Sequence, residues 1–236
     1  MEDGKKMNNL NILYEDNHVI VVEKKPNVLV QADDTNDLDL LTIIKNYIKE
    51  KYNKPGNVYL GLVHRLDRPV GGVMVFAKTS KAASRLSNDV RERNIKKTYL
   101  AVVNGKTNEK ERLVNKISKD NKTNNSYIDE KNGKESILEY ERVYYDEKED
   151  LSLLKINLET GRHHQIRIQM SNINHPLYGD QRYGKQDNKQ IALYAYKLEF
   201  IHPVTKEEMS FRLLPKKVGV WKILDNIKEG LWKIYI

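Results

Sequence analysis

A chain of 236 residues is long enough to bury a substantial core, in one large domain or two small ones. Hydrophobic residues make up 39% and charged residues 31%, and there is no cysteine, so disulfides, thiolate-held zinc and a cysteine nucleophile are excluded. The 41 Lys and Arg against 33 Asp and Glu give a net charge of +8, which favours a polyanion such as RNA as partner.

No stretch approaches the ~20 apolar residues that a membrane helix needs. The polar start Met1-Glu2-Asp3-Gly4-Lys5-Lys6 has no apolar run behind it to serve as a signal peptide. The lack of cysteine agrees with a reducing compartment, and the cytoplasm is the expected location. Residues 1–9 are expected to be frayed. Leu10 to Tyr14 and His18 to Glu23 flank the turn signal Glu15-Asp16-Asn17, a hairpin-like opening that Lys24-Lys25-Pro26-Asn27 ends. Leu38, Leu41, Ile44, Ile48 and Tyr52 recur at helical spacing and predict an amphipathic helix over 38–52, with a stop at Pro55-Gly56.

A strand from Val58 to Val63 then delivers the chain to His64-Arg65-Leu66-Asp67-Arg68. Pro69 and Gly71-Gly72 signal a tight bend, and Val73 to Ala77 predicts a buried strand. If the segment before the bend is extended, Arg65 and Asp67 share one face, and His64 and Leu66 the other. An aspartate at the mouth of a sheet among arginines is a candidate reactive centre. The same residue types also describe a surface salt bridge beside a turn.

Ser80 is the predicted N-cap of a helix to about Asn94, with Ala83, Leu86 and Val90 on one face. Lys96 to Gly105 predicts a strand closed by an Asn-Gly turn; Tyr99 within it has the makings of an ordinary buried tyrosine. Residues 106–135 are polar and almost free of core residues, and a long surface excursion is expected there, with a short strand or hairpin near Ser126-Tyr127-Ile128. Strands follow at Ile137 to Tyr145 and Leu151 to Leu158. From Gln165 to Met170 the chain alternates polar and apolar, which predicts a strand with Gln165, Arg167 and Gln169 on one face and His163 and His164 pointing to opposite faces. No carboxylate cluster accompanies the two histidines, so no metal site is expected. Strands at Ile191 to Ile201 and Met209 to Leu213 precede a tail, Trp221 to Ile236, that is helical at first, then apolar, and expected to dock.

Three of these stretches, in order and in one register, resemble the RluA-type family of RNA pseudouridine synthases. They are His64-Arg65-Leu66-Asp67 with its bend, strand and Ala77-Lys78; Lys97-x-Tyr99-x-Ala101-x-Val103-x-Gly105; and Thr160-Gly161-Arg162-x-His164-Gln165-Ile166-Arg167. Asn174 to Asp180, Tyr183-Gly184 and Leu193-Tyr194-Ala195 are also similar to it, the last being more usually Leu-His-Ala. Val70-Gly71 stands where the family usually has Thr-Ser. The resemblance covers roughly residues 10–217. It implies an α+β fold with a mixed, mostly antiparallel central sheet, flanking helices and one basic catalytic cleft. The implied catalytic domain spans 10–217, between the start at 1–9 and a docked tail at 218–236, with no room ahead of it for the small RNA-binding module that many members carry.

The resemblance further implies an isomerase that detaches uracil from C1′ at N1, turns it and rejoins it through C5, with no cofactor and no metal. Asp67 is the implied catalytic residue, Arg167 the arginine that pairs with it, and Tyr99 the ring that packs on the flipped uracil. The implied RNA-binding residues are Arg65, His64, Arg68, Arg162, His164, Gln165 and Leu193, with Arg65 entering the space a displaced base leaves. The expected partner is a ribosomal or transfer RNA stem-loop, with no membrane, and the expected state is a monomer. Two other classes remain open. A non-catalytic RNA-binding ribosome-assembly factor would keep the surface without turnover. A glycoside hydrolase also breaks a glycosidic bond, but requires a second carboxylate at ~5–9.5 Å that the motifs do not supply.

Overall fold

The computed structural model describes residues 10–33 and 37–227; the readings for residues 1–9 and for the end of the tail lie outside the described residues. The architecture is α+β, as expected, with a mostly antiparallel sheet and three α-helices among the described residues. The backbone divides into two compact units, one within Met1–Ile95 and Lys197–Leu213, the other within Lys96–Tyr196 and Leu214–Ile236. No helix among the described residues is long and apolar enough to cross a membrane.

In the first unit, β1 (Ile12–Glu15) and β2 (Val19–Lys24) form an antiparallel hairpin. Its turn is set by Asp16, whose Oδ1 accepts from the backbone N–H groups of His18 and Val19, both at 2.7 Å. Helix α1 (Leu40–Lys51) is capped by Asp39, which accepts from the Thr42 N–H at 3.1 Å. Strand β3 (Gly61–Leu62) is much shorter than the predicted run from Val58 to Val63; the residues before it run as loop, with Tyr59 exposed. Strand β4 (Gly71–Ala77) pairs antiparallel with β2, from Val19 opposite Ala77 to Lys24 opposite Gly72, and both strands are buried along their length. This explains why their sequences are continuous rather than alternating in hydrophobicity.

Helix α2 (Ser80–Arg91) is capped by Thr79, not by Ser80. Thr79 keeps extended backbone angles and its Oγ1 accepts from the Ala82 N–H at 3.2 Å, while Ser80 already lies in the first turn, exposed. The helix lays Ala82 and Leu86 on Val19, Val21, Val73 and Val75. Burial of each such branched side chain stabilises the unit by about 1.5–3 kcal/mol.

Two charged side chains, Glu15 and Lys24, tie several parts of this unit together. The Glu15 carboxylate accepts from Lys51 and Lys78, each at 2.6 Å, and from the hydroxyls of Tyr47 at 2.9 Å and Tyr52 at 3.0 Å, so it ties β1 to α1 and to the end of β4. Burial pushes the Glu15 carboxyl up, but these four donors outweigh it and hold it at about 2. The other charge is Lys24, at the end of β2. Its ammonium is fully buried and donates to the main-chain carbonyls of Lys25 at 3.2 Å, Arg68 at 2.8 Å and Val70 at 2.6 Å. Burial pushes the Lys24 pKa down to about 7, with the charge of Asp67 opposing and that of Arg68 adding.

The second unit orders its strands β5-β9-β8-β6-β7: β5 (Lys96–Asn104), β6 (Lys110–Asp120), β7 (Asn125–Ile128), β8 (Lys134–Asp146) and β9 (Leu151–Leu158), each pair antiparallel. The polar region 106–135 is thus mostly regular strand, against the expectation of a surface excursion. Only one face of β6 is covered, and only Leu113 and Ile117 on it are buried, so its sequence carries almost no apolar signal. Helix α3 (Gln165–Asn172) replaces the strand predicted from Gln165 onward. Gln165, Ile166, Arg167, Gln169 and Met170 are all buried, so the alternation of polar and apolar residues does not separate an inner from an outer face. Strand β10 (Leu193–Ile201) pairs with β11 (Glu208–Arg212), and a 3₁₀ helix spans Gly219–Asn226.

Two expectations follow from these locks and caps. Replacing Thr79 with Ala is expected to cost about 1 kcal/mol in urea denaturation, whereas Ser80→Ala should change stability little; the reverse ranking would reassign the cap. Lys24 binds its proton less tightly in the folded chain than in the unfolded one, where the ordinary value is 10.5. Stability should therefore rise with pH between about 7 and 10.5 and be flat with respect to this group below 7. The Lys24→Met variant should lose that rise, and parallel stability profiles of the two proteins would refute it.

Candidate functional site

The bend that carries Asp67 is held from beneath. Lys24 fastens the carbonyls of Arg68 and Val70, the Asn27 N–H donates to the Arg68 carbonyl at 2.8 Å, and the Val70 N–H donates to the Asp67 carbonyl at 3.0 Å. Gly72 leaves the bend at φ +133°, a region open to glycine. The turn at Val70-Gly71 is thus fixed by main-chain bonds and an ammonium. Leu66 is buried and anchors the segment before the bend, Asp67 is half-buried beside it, and Arg65 is exposed with no ion pair among the described residues. His64 accepts from the Val75 N–H through Nε2 at 3.2 Å, which fastens the segment to β4. Arg68 turns away to Asp37, at 2.6 Å.

The remaining residues singled out in the sequence lie in the second unit. Tyr99 is buried on β5, opposite Ile156. Leu193 is buried at the start of β10. Arg167 lies on α3, not on a strand, and clamps the carboxylate of Asp180 bidentately, Nε to Oδ2 at 2.8 Å and a terminal nitrogen to Oδ1 at 2.7 Å. Asp180 is fully buried, which pushes its carboxyl up. The Arg167 guanidinium and the N–H groups of Arg182 and Tyr183 outweigh this and hold it below the usual carboxylate range. Gly179, at φ +71°, delivers Asp180 to this position where a Cβ would lie 2.3 Å from the Gln190 carbonyl oxygen. The ring of Tyr183 lies 5.3 Å from the Arg167 guanidinium carbon.

The loop before α3 is closed by its own side chains. The Gln165 amide oxygen accepts from the Thr160 hydroxyl at 2.8 Å and the Arg162 N–H at 3.0 Å, and its nitrogen donates to Gln169 at 3.0 Å. Gln169 in turn donates to Asn115 at 2.9 Å and to the Ser136 carbonyl at 3.2 Å. His164 caps the helix at φ 53°, a strained position for a residue with a side chain. Its Nδ1 lies 2.9 Å from the Tyr183 hydroxyl. The rings of His163 and His164 lie against each other, with centroids 3.7 Å apart, because the chain is not extended there as the strand reading required. Arg162 is exposed, with Nε donating to the Glu135 carbonyl at 3.1 Å. Among the described residues no three His, Asp or Glu side chains are grouped to hold a metal.

Sequence reasoning gave no role to Lys24 or Asp180. Gly179-Asp180 falls within the similar stretch Asn174 to Asp180, and the signal that marks it is a glycine forced by close backbone approach, followed by an acid. Lys24 is one of two adjacent lysines, and nothing in their order says which is buried.

A family model described as RNA pseudouridylate synthase matches residues 18–172, a span that includes Asp67, Tyr99 and Arg167. An uncharacterised RNA pseudouridine synthase of Bacillus subtilis, YhcT, is 34% identical over 203 residues, 84% of this chain and 66% of that protein. The ribosomal large subunit pseudouridine synthase D of Vibrio cholerae is 34% identical over 224 residues, 86% of this chain and 66% of that protein. The chain thus spans about two thirds of the length of these relatives. The solved human RNA pseudouridylate synthase domain containing 1 shares the fold, with a TM-score of 0.73 at 23% identity over 91% of this chain and 87% of that one. This chain belongs to the RNA pseudouridine synthase family.

Proposed function

We propose that the chain isomerises specific uridines of structured RNA to pseudouridine, with Asp67 as the reacting carboxylate. The observation that carries this reading is the family match that runs through Asp67 on its fixed bend. The reaction breaks the bond from C1′ to N1 and forms one from C1′ to C5; the C5 proton leaves and N1 gains one, so nothing else is consumed. A carboxylate suits it as a nucleophile that is ionised at neutral pH. Tyr99 is the ring proposed to pack on the uracil and Arg167 the arginine proposed to orient the carboxylate. A ribosomal RNA target is supported by the 34% identity to the Vibrio cholerae ribosomal large subunit enzyme, and a transfer RNA remains within the proposal. The proposed setting is the cytoplasm, with the chain as a monomer.

Mapping of pseudouridines in cellular RNA with and without this gene tests the reading: sites that vanish with the gene support it, and an unchanged map overturns it. Release of free uracil would favour a hydrolase instead. Asp67→Asn should abolish turnover while leaving fold and RNA affinity nearly intact, since the amide is isosteric and neither ionised nor strongly nucleophilic. Residual turnover within about tenfold of wild type would remove Asp67 from this role.

Arg167 needs a different test, because Arg167→Ala also strips the buried Asp180 of its partner and is expected to cost about 3–5 kcal/mol of stability. Arg167→Lys keeps the charge but loses the planar fork, so partial activity with a folded protein is the expected result. Full activity would show that charge alone suffices.

Arg65, exposed and unpaired among the described residues, is proposed as the group that replaces the flipped base. Arg65→Ala should then slow single-turnover conversion more on a stem-loop than on a flexible strand of the same target sequence, because lost stacking must be offset only in the former. Equal slowing of both would leave Arg65 as a phosphate contact.

A further inference from the structure

The strands at 110–146, which the reading above leaves without a role, wall a second site. Strands β6, β7 and β8 and the loop Gly161-Arg162-His163 line a half-open cavity of about 400 Å3, within the size range of small-ligand pockets. Among the described residues its charged lining consists of Lys119, Lys134 and Arg162, with no carboxylate. Lys119 and Lys134 are exposed, and neither ammonium forms an ion pair among the described residues. Arg162 uses Nε on the Glu135 carbonyl and also has no ion pair among the described residues. Ser126 and His163, joined at 3.0 Å, fix one wall.

This is unlike much of the rest of the surface, where lysines face acids, as in Lys110 with Glu139 and Lys217 with Asp225. Three like charges gathered around a cavity repel one another, and an anion relieves that repulsion. Neutral donors are at hand in Asn121 and Asn132.

We infer that this cavity binds phosphate groups of the RNA strand flanking the modified uridine; the inference rests on the RNA reading above. Such contacts fix register and orientation on the strand and carry no chemistry.

The test uses the full chain and a fluorescein-labelled oligouridylate titrated across a range of salt. In the K119Q/K134Q variant, affinity should fall about tenfold and the slope of log K against log salt should flatten by about 1.4, two contacts at about 0.7 each. A K45Q/K148Q control, with the same loss of charge at exposed positions away from the cavity, should keep the wild-type slope. If the two variants behave alike while wild type binds RNA and modifies it, the cavity is not a phosphate site and the RNA reading stands. If wild type binds no RNA, the RNA reading falls and this inference with it. Uridine monophosphate is titrated in parallel: binding that depends on Lys119 and Lys134, with oligouridylate binding unaffected, would reassign the cavity to a free nucleotide and overturn the inference.

Discussion

The bend around Asp67 depends on one buried ammonium. A chain that reverses direction over Arg68 to Val70 presents its carbonyls inward, and a carbonyl removed from water without a donor is costly. Lys24 meets two of those carbonyls and a third from Lys25, so three acceptors are satisfied by one side chain. The lysine itself comes from the last position of β2, opposite Gly72 in the ladder with β4. The two strands that build the core of the first unit therefore also set the place of the bend. Its low pKa is the mark of that burial: the group is held there by geometry, against its own preference for water.

The second unit solves the same problem with neutral groups and one ion pair. A short helix bearing Gln165, Arg167 and Gln169 would be unstable as a buried element if any of them lacked partners. Each has them: Thr160 and the Arg162 N–H for Gln165, Asp180 for Arg167, Asn115 and the Ser136 carbonyl for Gln169. The partners of Gln165 come from the loop just before the helix, that of Arg167 from the turn after Gly179, and those of Gln169 from β6 and β8, distant in sequence. The helix is thus specified by tertiary bonds rather than by an apolar stripe.

That difference explains what could be read in advance. Strands β2 and β4 show in the sequence as continuous apolar runs because they are buried along their length, and helices α1 and α2 because their buried faces are apolar and periodic. The turns show because Pro69, Gly71-Gly72 and Asn104-Gly105 have restricted backbone uses. Asp67, Tyr99 and Arg167 stood out through the family resemblance, since their residue types alone describe a salt bridge and a buried tyrosine equally well. The sequence of α3 reads as a strand because polar residues that are buried and satisfied look the same, letter by letter, as polar residues facing solvent. Strand β6 is hidden for the converse reason: eight of its eleven residues pair with β8 while Leu113 and Ile117 alone are buried apolar side chains. Its ladder is held by main-chain bonds, which carry no side-chain signature.

The place of Val70-Gly71 follows from the same physics. Hydroxyls near a reactive carboxylate could serve to fix a turn as well as to contact a substrate. Here Val70 is buried, its N–H donates to the Asp67 carbonyl and its own carbonyl accepts from Lys24, so the turn closes with no side-chain hydroxyl at either position. Gly71 then starts β4 without a side chain, and Gly72 can take the φ of +133° that brings the strand into register opposite Lys24. A hydroxyl at position 70 would exchange a buried apolar contact for a polar group needing its own partner, beside carbonyls already served by Lys24. The apolar pair is consistent with the lysine beneath it: once an ammonium satisfies the turn from inside, shape and backbone freedom are what positions 70 and 71 must supply.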